Sequence, residues 1–171
     1  MSVRASLGRW KWVALAALAA IGVGLIAVLW AREFHLPDQD SAEIRAAREA
    51  VLEEENYISD SGAAHVCNVR VLALETNADQ TAATAYVARS CTSYIKKTVG
   101  LRGQTSAEEP AIYVLERADP SAGWRVVSRL VPMALDVPSL FPEKAAGAIL
   151  GDDEEIWSFE GLKDRAAEML G

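Results

Sequence analysis

Two cysteines, Cys67 and Cys91, and two histidines, His35 and His65, carry the most versatile chemistry in this 171-residue chain. His65 and Cys67 stand two apart, so on a strand they share a face. With Cys91 and His35 they complete the ligand types of a Cys2His2 zinc site. The spacing matches no zinc module, and a pair of cysteines in an oxidising compartment ordinarily forms a disulfide. A Cys67–Cys91 bridge is therefore the expectation, with no metal and no cofactor assigned. The acidic run GDDEE at 151–155 places its acids consecutively. A calcium loop alternates ligands with spacers and ends on a glutamate, so this run reads as a solvated turn.

A second group is polar residues on strands that otherwise read as apolar. Arg89, Glu116 and Ser128 fall on inward-reading positions. A buried charge must be paired, and the three together would line a polar pocket. Nucleophilic and phosphate chemistry lack a motif: the chain has no G-x-S-x-G, P-loop, G-x-G-x-x-G or HExxH pattern. No catalytic residue is assigned.

The elements that would position these groups follow from periodicity. Asp40 to about Ile58 is an amphipathic helix, capped by Asp40 with Glu43 three residues on. Its apolar stripe is Ile44, Ala47, Val51, Leu52 and Ile58. The period then switches to two. Residues 65–75 and 81–99 read as strands joined by a turn centred on Asp79. That register sets Cys67 opposite Cys91, Val69 opposite Arg89, Val71 opposite Val87 and Ala73 opposite Ala85. Residues 100–110 read as a loop. Strands at 111–117 and 124–131 form a second hairpin around Asp119-Pro120. Pro142 to Leu150 is a short helix, and a last helix from Ser158 or Gly161 aligns Leu162, Ala166 and Met169. Tyr86 and Tyr94 pack on a sheet face, and Lys96 and Lys97 guard a strand edge. The predicted class is α+β, with one helix on a four-stranded antiparallel sheet and short C-terminal helices.

Ahead of this lies an uncharged run of 20 residues, Trp12 to Ala31. As a helix it would span about 30 Å, the thickness of a bilayer core. Trp10, Trp12 and Trp30 mark its interfaces. Arg4, Arg9 and Lys11 precede it, whereas Glu33, Asp38 and Asp40 follow. Positive-inside bias places the N-terminus in the cytoplasm and the rest outside. The run exceeds the ~7–15 residues of a signal-peptide core, and a cut after Ala31 would place Leu29 at −3, so a retained anchor is expected. The Ala16, Ala20, Gly24 spacing would allow close helix approach, but an Ala-rich helix shows it by chance. Beyond Ala31 stand 24 acidic against 14 basic residues, a net of −10. That charge argues against nucleic acid and anionic lipid surfaces as partners of the outer domain.

The organisation is thus a cytoplasmic start (1–11), a transmembrane helix (12–31), a juxtamembrane link (32–39), an α+β domain (40–132) and a helical extension (133–171). One helix followed by a bent antiparallel sheet over 40–131 resembles the cystatin-like superfold of nuclear transport factor two, ketosteroid isomerase and scytalone dehydratase. The helix, the two hairpins and the Val131-Pro132 to Phe141-Pro142 end also resemble uncharacterised single-pass proteins of bacterial envelopes. None of the catalytic residues of the superfold's enzymes finds a match. Membrane-anchored members of type IV secretion and conjugation machines share the layout, and that likeness implies an assembly role. The expectation is a non-enzymatic envelope membrane protein, held in the bilayer by 12–31, whose outer domain binds a protein partner or itself. The alternative is a small-molecule binder or enzyme with a pocket around Arg89, Glu116 and Ser128.

Overall fold

The computed structural model describes residues 36–171 apart from Val99, Asp152, Asp153 and Ser158. The anchor at 12–31, its flanks Arg4, Arg9, Lys11, Trp10, Trp12 and Trp30, and His35 lie outside the described residues. Among the described residues no helix is long and apolar enough to cross a membrane.

The domain is α+β. Helix α1 (Ala42–Glu55) is followed by strands β1 (Tyr57–Ile58), β2 (Ala64–Thr76), β3 (Ala82–Lys97), β4 (Gly100–Glu116) and β5 (Arg125–Leu130). Short helices α2 (Val137–Leu140), α3 (Glu143–Leu150), α4 (Glu154–Trp157) and α5 (Leu162–Leu170) complete it. The five strands form one curled antiparallel sheet in sequence order. Consecutive pairing needs only hairpin turns, and the turn residues supply them. Asn77 closes β2–β3 by accepting from the Thr81 and Ala82 amides. Asp119 closes β4–β5 by accepting from Ser121 and Ala122.

The first hairpin forms in the expected register as far as Val71↔Val87, with Cys67 opposite Cys91 and Val69 opposite Arg89. A bulge between Val71 and Ala73 then shifts the pairing, and Ala73 meets Tyr86 where Ala85 was expected. The bulge leaves Val71 facing Gln39, whose side-chain amide accepts from Val71 N and donates to Val71 O. Gln39 thereby ties the start of α1 to β2.

Three expectations need correction. Among the described residues the sheet has five strands, because α1 stops at Glu55 and Tyr57–Ile58 turns back onto Ala64 and His65. Residues 100–110 are strand: Gly100, at φ 99°, starts the return, and β4 pairs with β3 along its length. The reason is backbone demand. The second half of β3 carries amides and carbonyls that need partners, and the neighbouring chain supplies them despite its Gly and Pro content. Pro110 is tolerated because β5 pairs with β4 only from Ile112 onward. Lastly, Ser41 occupies the helix N-cap position without a side-chain cap bond, while Asp38 accepts from the Asp40 amide.

The sheet is covered on both faces. On one, Ile44, Ala47, Ala50 and Val51 of α1 meet Val69, Val71, Ala85, Val87, Tyr113 and Leu115. On the other, Ala166, Leu162 and Met169 of α5 pack with Ala64, Val66 and Tyr94, the side expected of the last helix. Tyr86 stacks obliquely on Phe141 at 5.4 Å between centroids. Both tyrosines serve sheet-face packing. Residues 133–171 thus pack in the same compact unit as the sheet.

The Cys67–Cys91 disulfide is formed, joining β2 to β3 across 24 residues. By limiting the unfolded chain, a bridge of this loop length contributes about 2–4 kcal/mol. Cys67→Ser or Cys91→Ser is expected to lower unfolding free energy by that amount, read by urea denaturation of oxidised protein. Unchanged midpoints would refute it.

Candidate functional site

The C-terminal end of α1 carries a glutamate where the helical stripe should bury an apolar side chain. Glu55 lies four residues after Val51, on the same face, and is only 2% exposed. Three strands supply its partners. Arg89 of β3, 6% exposed, places Nη1 2.6 Å from Glu55 Oε2. Tyr113 of β4, fully buried, donates its hydroxyl to Oε1 at 2.7 Å and accepts from Arg89 Nη1 at 3.1 Å. Arg129 of β5, half-exposed, reaches Oε1 at 2.6 Å. Glu109, directly opposite Arg89 on β4, takes its Nη2. The chain Glu109–Arg89–Glu55–Arg129 alternates in sign and is neutral.

Burial alone would raise the Glu55 carboxyl. The hydrogen bonds from Arg129 and Tyr113, with the charges of Arg89 and Arg129, outweigh it and hold the group below the ordinary carboxylate range. Burial also pushes the Tyr113 hydroxyl upward, reinforced by its bond to the Glu55 anion. Tyr113 is therefore a donor at neutral pH, and Glu55 an anion.

The disulfide adjoins this network. Cys67 Sγ lies 3.8 Å from Glu55 Oε2 and 3.5 Å from His65 Nε2. His65 Nδ1 is 3.1 Å from Ser93 Oγ. Burial lowers the His65 pKa, with Arg89 and Arg129 adding to the effect and Glu55 opposing it, so the imidazole is neutral at pH 7. The Cys67 backbone is held on both sides: its amide donates to Asn56 Oδ1 at 2.7 Å, and its carbonyl accepts from Arg165 at 2.6 Å.

The three expected pocket residues separate. Arg89 is buried in the network. Glu116 is exposed and pairs with Arg125 at 3.2 Å. Ser128 is exposed and sits opposite Val114. Two causes are identifiable. In β4 the buried set is Ala111, Tyr113 and Leu115, the opposite phase from the Ile112, Val114, Glu116 phase that put Glu116 inside. In β5 a bulge between the Leu115↔Val126 and Val114↔Ser128 pairs reverses the alternation, so Arg129 turns inward and Ser128 outward. Of the missed residues, Glu55 was signalled by its phase on the helix. Glu109 lay in a segment read as loop, and Arg129 required the bulge.

An open cleft elsewhere is lined by Gln39, Arg48, Asn68, Arg70 and Phe159. The Gln39 amide there is committed to Val71 and the Asn68 amide to the Glu160 carbonyl.

No family model and no curated protein matches the chain. One solved structure compared with it is a variant of Rv3472, a function-unknown protein from Mycobacterium tuberculosis. It is 16% identical, with 66% of this chain and 64% of that one covered, and a TM-score of 0.25. The chain thus spans under two thirds of that protein's length, and a likeness at this level carries no argument about function.

Glu55→Gln removes the central anion and leaves Glu109 as the anion paired with Arg89. The expected cost is about 3 kcal/mol at neutral pH, the low end for breaking a buried pair. Because the folded carboxyl titrates below its ordinary value of 4.5, the wild-type advantage is full above that pH. It shrinks as pH falls through the folded value. Urea unfolding of both proteins from pH 7 to pH 3 measures it, and an advantage that grows on acidification would contradict this assignment.

Proposed function

We propose that this chain is a non-enzymatic, single-pass envelope protein whose outer domain recognises a protein partner through the β5 edge. The observation that carries this reading is an apolar strip left uncovered beside that edge. Val114, Val127, Leu130 and Val131 are exposed, as are Met133 at 75% and Leu135 at 92%. Large apolar side chains exposed close together along the chain are a feature of interaction sites. An unpaired edge strand offers backbone groups to an added strand.

The charge pattern favours a different protein over a second copy. The strand carries the partly exposed cations Arg125 and Arg129 near its two ends, and a second copy would bring the same two cations to the seam. A partner strand with apolar residues flanked by acids fits better. Membrane attachment rests on the uncharged Trp12–Ala31 run and its charge asymmetry. The outer location is supported by the disulfide, which belongs to an oxidising compartment. The cystatin-like likeness is supported by one helix on a curled sheet, and a fold of that kind specifies no chemistry. A small-molecule pocket on the α1-bearing face has less support, because Ile44, Ala47, Ala50 and Val51 fill it and Arg89 is engaged by three side chains.

A photo-crosslinking residue at Leu135 of the full-length protein in cells is expected to give a discrete heteromeric adduct. Leu130→Asp should abolish that adduct while changing unfolding free energy by under about 0.5 kcal/mol, as for a surface site. An adduct containing only this chain would replace the partner by a second copy. No adduct from either Leu135 or Met133 would end the proposal.

A further inference from the structure

We propose that reduction of the Cys67–Cys91 bridge converts the corner beside α1 into a four-ligand site for a zinc-class divalent cation. Its ligands would be His65 Nε2, both cysteine sulfurs and a Glu55 carboxylate oxygen. These atoms lie within 4.8 Å of one another. In a tetrahedral site with zinc–sulfur bonds of about 2.3 Å and zinc–nitrogen or –oxygen bonds of about 2.0–2.2 Å, neighbouring ligands stand roughly 3.5–3.8 Å apart. Cys67 Sγ is already 3.5 Å from His65 Nε2 and 3.8 Å from Glu55 Oε2. The bonded sulfurs are the pair that is too close, and reduction moves them apart, in the direction the tetrahedron needs.

The surroundings are those of a supported metal centre. Ser93 Oγ holds His65 Nδ1 at 3.1 Å, leaving Nε2 turned to the sulfurs. Arg89, Tyr113 and Arg129 fix the Glu55 carboxylate. Such outer partners orient ligands and set affinity. Two thiolates, a carboxylate and a neutral imidazole around a dication sum to −1, and the guanidiniums of Arg89 and Arg129 offset the added charge. The conversion balances as written. A dithiol reductant gives two electrons and two protons, its own disulfide forms, and the Cys67–Cys91 bond opens to two thiols. Metal binding then releases both thiol protons to solvent. The bridge is thus a lock on the site, and the oxidised protein holds no cation there.

The test uses the full-length chain in detergent with cobalt(II) alone as the probe, with and without prior reduction by a phosphine. The reduced protein should take up one equivalent and show thiolate-to-cobalt charge transfer with tetrahedral ligand-field bands, displaced by zinc. The oxidised protein should show neither. His65→Ala and Cys91→Ser should each weaken uptake roughly tenfold or more, with the folded far-ultraviolet dichroism retained in His65→Ala. Absence of the bands in reduced, folded protein overturns the proposal. So does uptake by the oxidised protein, or unchanged affinity in His65→Ala. Unfolding on reduction that cobalt does not reverse overturns it as well, because the ligands need the standing frame.

Discussion

A carboxylate at the end of an amphipathic helix sets the terms for the rest of this domain. Glu55 sits where α1 meets the sheet, and its charge cannot be left unpaired in that interior. Satisfying it draws one residue from each of three consecutive strands: Arg89, Tyr113 and Arg129. Hydrophobic contact alone would let the helix slide or rotate over a face built largely of alanine and valine. The fixed directions of the guanidinium and hydroxyl donors select one placement, and the neutral Glu109–Arg89–Glu55–Arg129 chain keeps its desolvation cost offset.

That arrangement depends on departures from regular strand geometry. The β2 bulge turns Val71 toward Gln39, which anchors the first turn of the helix. The β5 bulge rotates Arg129 onto the helix side, where it reaches the last turn. Each inserts one residue and reverses which face the following side chains address. Both ends of α1 are therefore fastened through irregularities. The disulfide lies at the second of these fastenings, beside His65 and Glu55.

Two-sided coverage explains the composition of the sheet. With α1 on one face and α5 on the other, β2 and β3 bury apolar residues on both faces, Val69, Val71, Ala85 and Val87 toward α1 and Ala64 and Val66 toward α5. Coverage thins at β5, where Val127 and Leu130 stay exposed among the described residues. The buried charges and the exposed apolar residues near β5 are thus two places where the domain breaks the usual inside–outside rule. One is resolved internally by ion pairs, and the other is left open at the surface.

Local pattern alone determined much of this. The helix from its stripe, the first hairpin from its alternation and the packing side of the last helix follow from near-neighbour periodicity, whereas the pairs beside the turn run one residue out of the Asp79 register and the β2 bulge is what sets Cys67 opposite Cys91. Arg89 was likewise visible as a charge on an apolar face. Tertiary structure decided the rest. Residues 100–110 look like loop but become strand because β3 must pair its backbone. Glu116 and Ser128 look inward but face solvent, since the choice between two equivalent strand faces and the placing of a bulge are made by the packed neighbours. Glu55 and Arg129, 74 residues apart, carry no mark of one another in the chain. They meet only because the helix must dock on the sheet before either charge can be neutralised.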